Sequence, residues 1–87
     1  MSWIKVQHLV LTRTDGKGRI SEVPAQVRNL LREKDPELNP SLIACEAQFS
    51  CGLQVLSLIF DDSSPEDLLP RLGKALAKDG WCLLYEK

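Results

Sequence analysis

Residues 42–60 read LIACEAQFSCGLQVLSLIF, and this stretch decides the fold. Within 42–49 the side chains alternate. Ile43, Cys45, Ala47 and Phe49 fall on one side, Glu46 and Gln48 on the other. A period of two is the mark of a half-buried strand, with Glu46 and Gln48 toward water. Ser50-Cys51-Gly52 is a short turn. Residues 53–60, LQVLSLIF, are a second strand, rich in branched aliphatic side chains. The stretch is therefore a β-hairpin.

Working outward, residues 35–41, DPELNPS, carry two prolines and end whatever helix precedes them. That helix starts at Ser21 as N-cap and runs to about Lys34, with Pro24 in its first turn, where a missing N–H costs little. Val23, Val27, Leu30 and Leu31 form one apolar stripe, while Arg28, Arg32, Glu33 and Lys34 fall largely away from it. Residues 14–19, TDGKGR, are a loop, and residues 3–13, WIKVQHLVLTR, are a strand. Downstream, Asp61 and Asp62 terminate the hairpin. Ser64-Pro65-Glu66-Asp67 then opens a helix, with a Ser cap, a proline at the first position and acids near the positive dipole end. The helix is expected to reach Asp79, stop at Gly80 and bury Leu68, Leu69, Leu72, Ala75 and Leu76. Pro70 interrupts its pattern by removing a backbone donor. Residues 81–86, WCLLYE, are a last strand.

The order is β-α-β-β-α-β, the ferredoxin-like or split βαβ arrangement. It predicts an α+β two-layer sandwich, one domain over residues 1–87. Right-handed crossovers give an antiparallel sheet of order 4-1-3-2 with both helices on one face. No stretch carries a family signature.

The chain has 87 residues and a mass of 9.8 kDa, enough for one core and little more. Leu, Ile, Val and Phe supply 26 residues, too many for a disordered chain. The net charge of −1 argues against a dedicated nucleic-acid binder, which needs excess Lys and Arg for phosphates. The charge is segregated. Residues 35–67 hold seven acidic side chains and no Lys or Arg, between basic flanks. Such asymmetry can orient a partner or a second copy, and it is also what solvated faces look like. Three cysteines make a poor disulfide framework. No secretory leader pattern and no apolar run of about 20 residues is present, so a reduced, cytoplasmic protein is expected.

One face of such a sheet is covered by helices and the other is open. In residues 53–60, Leu53, Val55 and Ile59 share one side, and Leu56, Leu58 and Phe60 the other. In residues 3–13, Ile4, Val6 and Val10 share one side, and Trp3, Leu9 and Leu11 the other. Both sides of the central strands are thus apolar. Trp3, Leu9, Leu11, Leu56, Leu58 and Phe60 are assigned to the open face as an interaction surface, because a monomer rarely exposes a large apolar patch. A second copy, another protein or a ligand is expected to cover them.

Chemistry-bearing residues are sparse. His8 is the sole histidine and has no evident catalytic partner. Cys45, Cys51 and Cys82 lack the close spacing of a zinc site, and Cys51, in a turn, is the expected exposed thiol. Arg13, Lys17 and Arg19 flank a glycine-containing loop before a helix start, the first candidate for binding a small anion. Gly-Lys-Gly there matches neither a Walker loop nor a dinucleotide fingerprint, and a solvated connector would look the same. Asp61, Asp62, Glu66 and Asp67 are explained by strand termination and helix capping and lack EF-hand spacing. Residues 51–58 lack the basic residue and aromatics with which similar sheets stack RNA bases. No catalytic residue, metal or cofactor is implied. The function expected is a small non-catalytic protein-interaction module that associates through its open sheet face, as a homodimer, accessory subunit or inhibitor-like binder. The alternative is a small enzyme or sensor that holds an anionic molecule at residues 13–19 or between two sheets.

Overall fold

The computed structural model describes residues 6–13 and 19–86. Four strands are present, β1 (Gln7–Arg13), β2 (Leu42–Ser50), β3 (Leu53–Phe60) and β4 (Cys82–Glu86), with helices α1 (Val23–Lys34) and α2 (Leu68–Leu76). All strand pairs are antiparallel and the sheet order is β2-β3-β1-β4, the expected order read from the other edge. The chain is an α+β fold.

The hairpin turn is two residues long. Cys51 and Gly52 both take positive φ, 52° and 80°, the backbone that matches the twist of the flanking strands. Ser50 therefore pairs with Leu53, and the register follows: Cys45 with Leu58, Ala47 with Leu56, Glu46 with Ser57, Gln48 with Val55. Cross-strand partners share a face. Leu56 and Leu58 must then lie with Cys45 and Ala47, on the side away from Glu46 and Gln48.

That overturns the assignment of the open face. Leu9, Leu56, Leu58 and Phe60 are 0% exposed and Leu11 is 3% exposed. They pack against Val23, Val27 and Leu31 of α1 and Leu68, Leu72 and Leu76 of α2, with Leu38 and Trp81 in the same cluster. Both helices lie on this face. The five residues are core, and Trp3 lies outside the described residues. With both sides of the central strands apolar, alternation alone does not say which side the helices cover.

Both helices begin later than their capping signals suggest. Ser21 sits in a 3-10 turn, Ile20–Glu22, and α1 begins at Val23 with Pro24 in its first turn. Ser64-Pro65 do not open α2, which begins at Leu68. Pro70 is the reason. A helix from Pro65 would place Pro70 where its missing N–H breaks a bond and its ring clashes with the preceding turn. Starting at Leu68 puts Pro70 among the first residues, whose N–H groups have no partner in any helix. At the other end a 3-10 turn, Ala77–Asp79, extends α2, and Gly80 stops it in the left-handed conformation at φ 83°.

The segment between α1 and β2 is also ordered, as a 3-10 helix over Pro36–Ser41. It buries Leu38 completely. Ser41 Oγ donates to the Leu38 carbonyl at 3.0 Å, and the Asp61 amide donates to the Ser41 carbonyl at 2.8 Å. This joins the crossover to the end of β3. Arg71 of α2 clamps it from the other side. Its Nε donates to Asp35 Oδ2 at 2.8 Å and its Nη2 to Asp35 Oδ1 at 2.5 Å and Glu37 Oε2 at 3.0 Å. The Arg71 hydrogen bonds hold the Asp35 carboxyl below its ordinary value, and the carboxylates keep Arg71 more firmly charged.

Two predictions follow from the packing and the clamp. Leu58→Lys buries an unpaired charge and unfolds the domain, a loss of about 4 kcal/mol or more from a total of roughly 4–13. Ile59→Lys, one residue along and on the other face, leaves the far-ultraviolet circular dichroism unchanged. Asp35, with its pKa lowered on folding, adds stability that is present above the unfolded value of 3.8 and lost as pH falls through the lower folded value. Asp35→Asn removes that part of the acid dependence, so the midpoint–pH curves of variant and parent converge below about pH 4.

Candidate functional site

The uncovered face of the sheet is built from the residues that alternate with the core. Paired registers arrange them in rows across the strands. One row runs Glu46 (β2), Ser57 (β3), Val10 (β1), Tyr85 (β4), and the next runs Gln48, Val55, Thr12, Cys82. Ala44, Ile59 and His8 form a third, beyond the Ser57 row. Val10, at the centre, is 4% exposed, whereas Val6 is 48% and Tyr85 47% exposed at the margins. Val55 and Ile59 are half-buried. The helices pack on the opposite face. Along its middle the face mixes Val10, Val55 and Ile59 with His8, Thr12 and Ser57, with one carboxylate near one edge and one phenol near the other.

His8 stands on this face. Its Nε2 shares a 2.5 Å hydrogen bond with Ser57 Oγ, the only hydrogen bond of the ring among the described residues. Serine and histidine in contact are two parts of a nucleophilic site, but a base also needs a third group to orient it. Glu46 lies across from Ser57, not against the imidazole. The pair reads as a satisfied polar contact within an apolar face. Beside it is a cavity of about 260 Å³ lined by His8, Glu46, Ala47, Gln48, Val55 and Ser57.

The edge strand β4 is exposed at every position, with Leu83 and Leu84 at 49% and 54%. Leu83 pairs with Leu11, so it stands on the helix-covered side yet beyond the helices' reach. A bulge at Leu84 interrupts the pairing with β1, a feature that discourages edge-to-edge association.

Of the three residues expected to hold an anion, Arg13 is engaged elsewhere. Arg13 is buried and serves the core. Its Nε donates to Gln54 Oε1 at 2.6 Å, its Nη1 to the Asp79 carbonyl at 3.3 Å and Asp79 Oδ2 at 3.4 Å, and its guanidinium lies 4.3 Å from the centre of the Trp81 ring. It joins the ends of β1 and β3 to the turn before β4. Lys17 lies outside the described residues. Arg19 is exposed and precedes the 3-10 turn at Ile20.

Three lysines that no short motif joins in sequence do converge. Lys34, Lys74 and Lys78 line a cleft with Asp35, Arg71 and Ala75. They lie at the C-terminal ends of the helices, where cations complement the negative end of each dipole and an anion would meet it unfavourably. Arg71 is already occupied by carboxylates. Of the acidic group, Asp61 Oδ1 accepts from the Ser63 amide at 2.9 Å and Asp67 lies 3.7 Å from Arg71, while no side chain caps the start of α2, contrary to the capping role expected. Among the described residues no group of three or more His, Cys, Asp or Glu could hold a metal ion. No helix of the described residues is long and apolar enough to cross a membrane.

All three cysteines are free thiols. Cys51 is exposed in the hairpin turn, as expected, and Cys82 is exposed on β4. Cys45 faces the core, with its thiol toward the Pro24 carbonyl at 3.8 Å, and burial pushes its pKa up to about 11. Maleimide at neutral pH therefore modifies two thiols per folded chain, Cys51 and Cys82. Cys45 reacts only after denaturant is added. Comparison with protein-family models, curated proteins and solved structures gives no significant match.

Proposed function

We propose that the chain is a small, non-catalytic protein-interaction module of ferredoxin-like fold that associates through the uncovered face of its sheet. One observation carries this reading. Half-buried Val55 and Ile59, with exposed Tyr85 at the margin, lie on the sheet face opposite to the one the helices cover. Apolar surface left in water is stabilised by about 25 cal/mol per Å² when a partner covers it. The face is the one opposite to Leu9, Leu11, Leu56, Leu58 and Phe60, so the surface keeps its expected role with different residues. Three free thiols suit a reducing compartment such as the cytoplasm.

The test combines sedimentation with binding of an environment-sensitive hydrophobic dye. A Val55→Lys, Ile59→Lys double variant keeps its fold and loses whichever of the two the parent shows, self-association or dye binding. A parent chain that is monomeric and binds no dye has no sticky face, and the reading fails.

A further inference from the structure

We infer that the uncovered face is complementary to itself, and that its partner is a second copy of this chain packed sheet to sheet about a two-fold axis parallel to the strands. The inference rests on the interaction reading above and names the partner. The row Glu46–Ser57–Val10–Tyr85 spans the sheet from one edge strand to the other. A two-fold axis along the strands, lying between the copies and over the boundary of β3 and β1, turns each row back onto itself in reverse. Glu46 then meets Tyr85 of the second copy, and Ser57 meets Val10. In the next row Gln48 meets Cys82, and Val55 meets Thr12.

Three features favour this arrangement. The first is charge. Glu46 is the only carboxylate among these rows, and a two-fold axis across the strands at this row would instead set Glu46 over its own equivalent. Like charges brought together at an interface oppose association. The axis along the strands gives the carboxylate a phenolic O–H, which can donate to it. The second is shape. The cavity bounded by Glu46, Gln48, Ser57, Val55 and His8 lies on the β2 side, and exposed Tyr85 stands on the β4 side. Reversal of the row brings the tyrosine of each copy to the cavity of the other. Packed sheets lie about 10 Å apart, a gap that a tyrosine and a glutamate side chain together can bridge. The third is apolar burial, since half-buried Val55 and Ile59 of each copy are covered by Thr12 and His8 of the other.

The area sets the strength. Four strands spaced about 4.8 Å apart, each some six residues long, give a flat patch of roughly 400 Å² per copy. A rough side-chain surface exceeds that, but the interface remains at the small end of specific contacts, whose usual size is about 800 Å² per partner. The dimer is therefore weak and dilution-dependent.

Sedimentation equilibrium over a wide concentration range tests it, with circular dichroism to check folding. The parent chain is expected to pass from monomer to dimer and no further. Glu46→Lys and Tyr85→Glu, both at exposed positions, each weaken the dimer about tenfold or more. Combined in one chain they restore association, because residue 46 of each copy meets residue 85 of the other. The two residues cannot meet within one chain, since β2 and β4 are opposite edges of the sheet. A dimer indifferent to both single changes, or a double variant no better than the singles, overturns the inference. So does a parent chain that stays monomeric at every concentration. If that monomer still binds hydrophobic dye on Val55 and Ile59, the interaction reading survives and only the choice of partner falls.

Discussion

A two-residue turn is the constraint on which the structure depends. Cys51 and Gly52 both hold left-handed backbone. Glycine does so freely, whereas a cysteine there costs about 1–2 kcal/mol. That strain is held by the long β2–β3 ladder, and in exchange the ladder has one register. A slip of one residue would send every side chain of β2 to the opposite face. β3 also pairs along the full length of β1, and that second register sets Leu9 and Leu11 on the same side as Leu58 and Leu56. Leu56 and Leu58 go inward with Cys45 and Ala47, and Ser57 and Val55 go outward with Glu46 and Gln48.

Once the face is chosen, the ends of the core need closing, and two arginines with their polar partners do this. Arg13 continues the inward series of β1 past Leu9 and Leu11, so its charge arrives at a nearly buried position. Gln54, its register partner on β3, accepts from it, and Trp81 covers the guanidinium. At the opposite end of the crossover, Arg71 holds Asp35 and Glu37 and fixes the Leu38 turn beneath the helices. The two arginines have structural partners, which removes them from the supply of free cations for a ligand.

The uncovered face is the by-product of the same choice. Its residues are smaller and more mixed than those in the core: valines and Ile59 beside Ser57, Thr12 and His8. Leu and Phe on the inward side fill the space under two helices, while Val, Ser and Thr leave a cavity on the β2 side of the outward one. The isolated carboxylate of Glu46 and the phenol of Tyr85, at opposite ends of one row, give that surface a direction.

Much of this was legible in the residues themselves. Alternation in 42–49, the stripe Val23-Val27-Leu31, the prolines of 35–41 and Gly80 mark the elements and their order, because each is a local consequence of backbone geometry. The inward face was also within reach. Glu46 and Gln48 belong to water, and a turn confined to Cys51-Gly52 places Leu56 and Leu58 opposite Cys45 and Ala47. Alternation taken strand by strand leaves that link unused and assigns Leu58 to the wrong side. The late start of α2 follows from Pro70, which outweighs the capping signal at Ser64. What sequence could not supply is proximity between residues far apart in the chain. Arg13 meets Asp79 and Trp81, His8 meets Ser57, and Lys34 and Lys74 come to line one cleft only after the sheet and helices have packed. The sequence by itself determined the elements, their order and the apolar character of both strand faces, since those are set by neighbours along the chain. Only the tertiary structure decided which face became core and which stayed open, because that depends on cross-strand register and on where two helices can be seated.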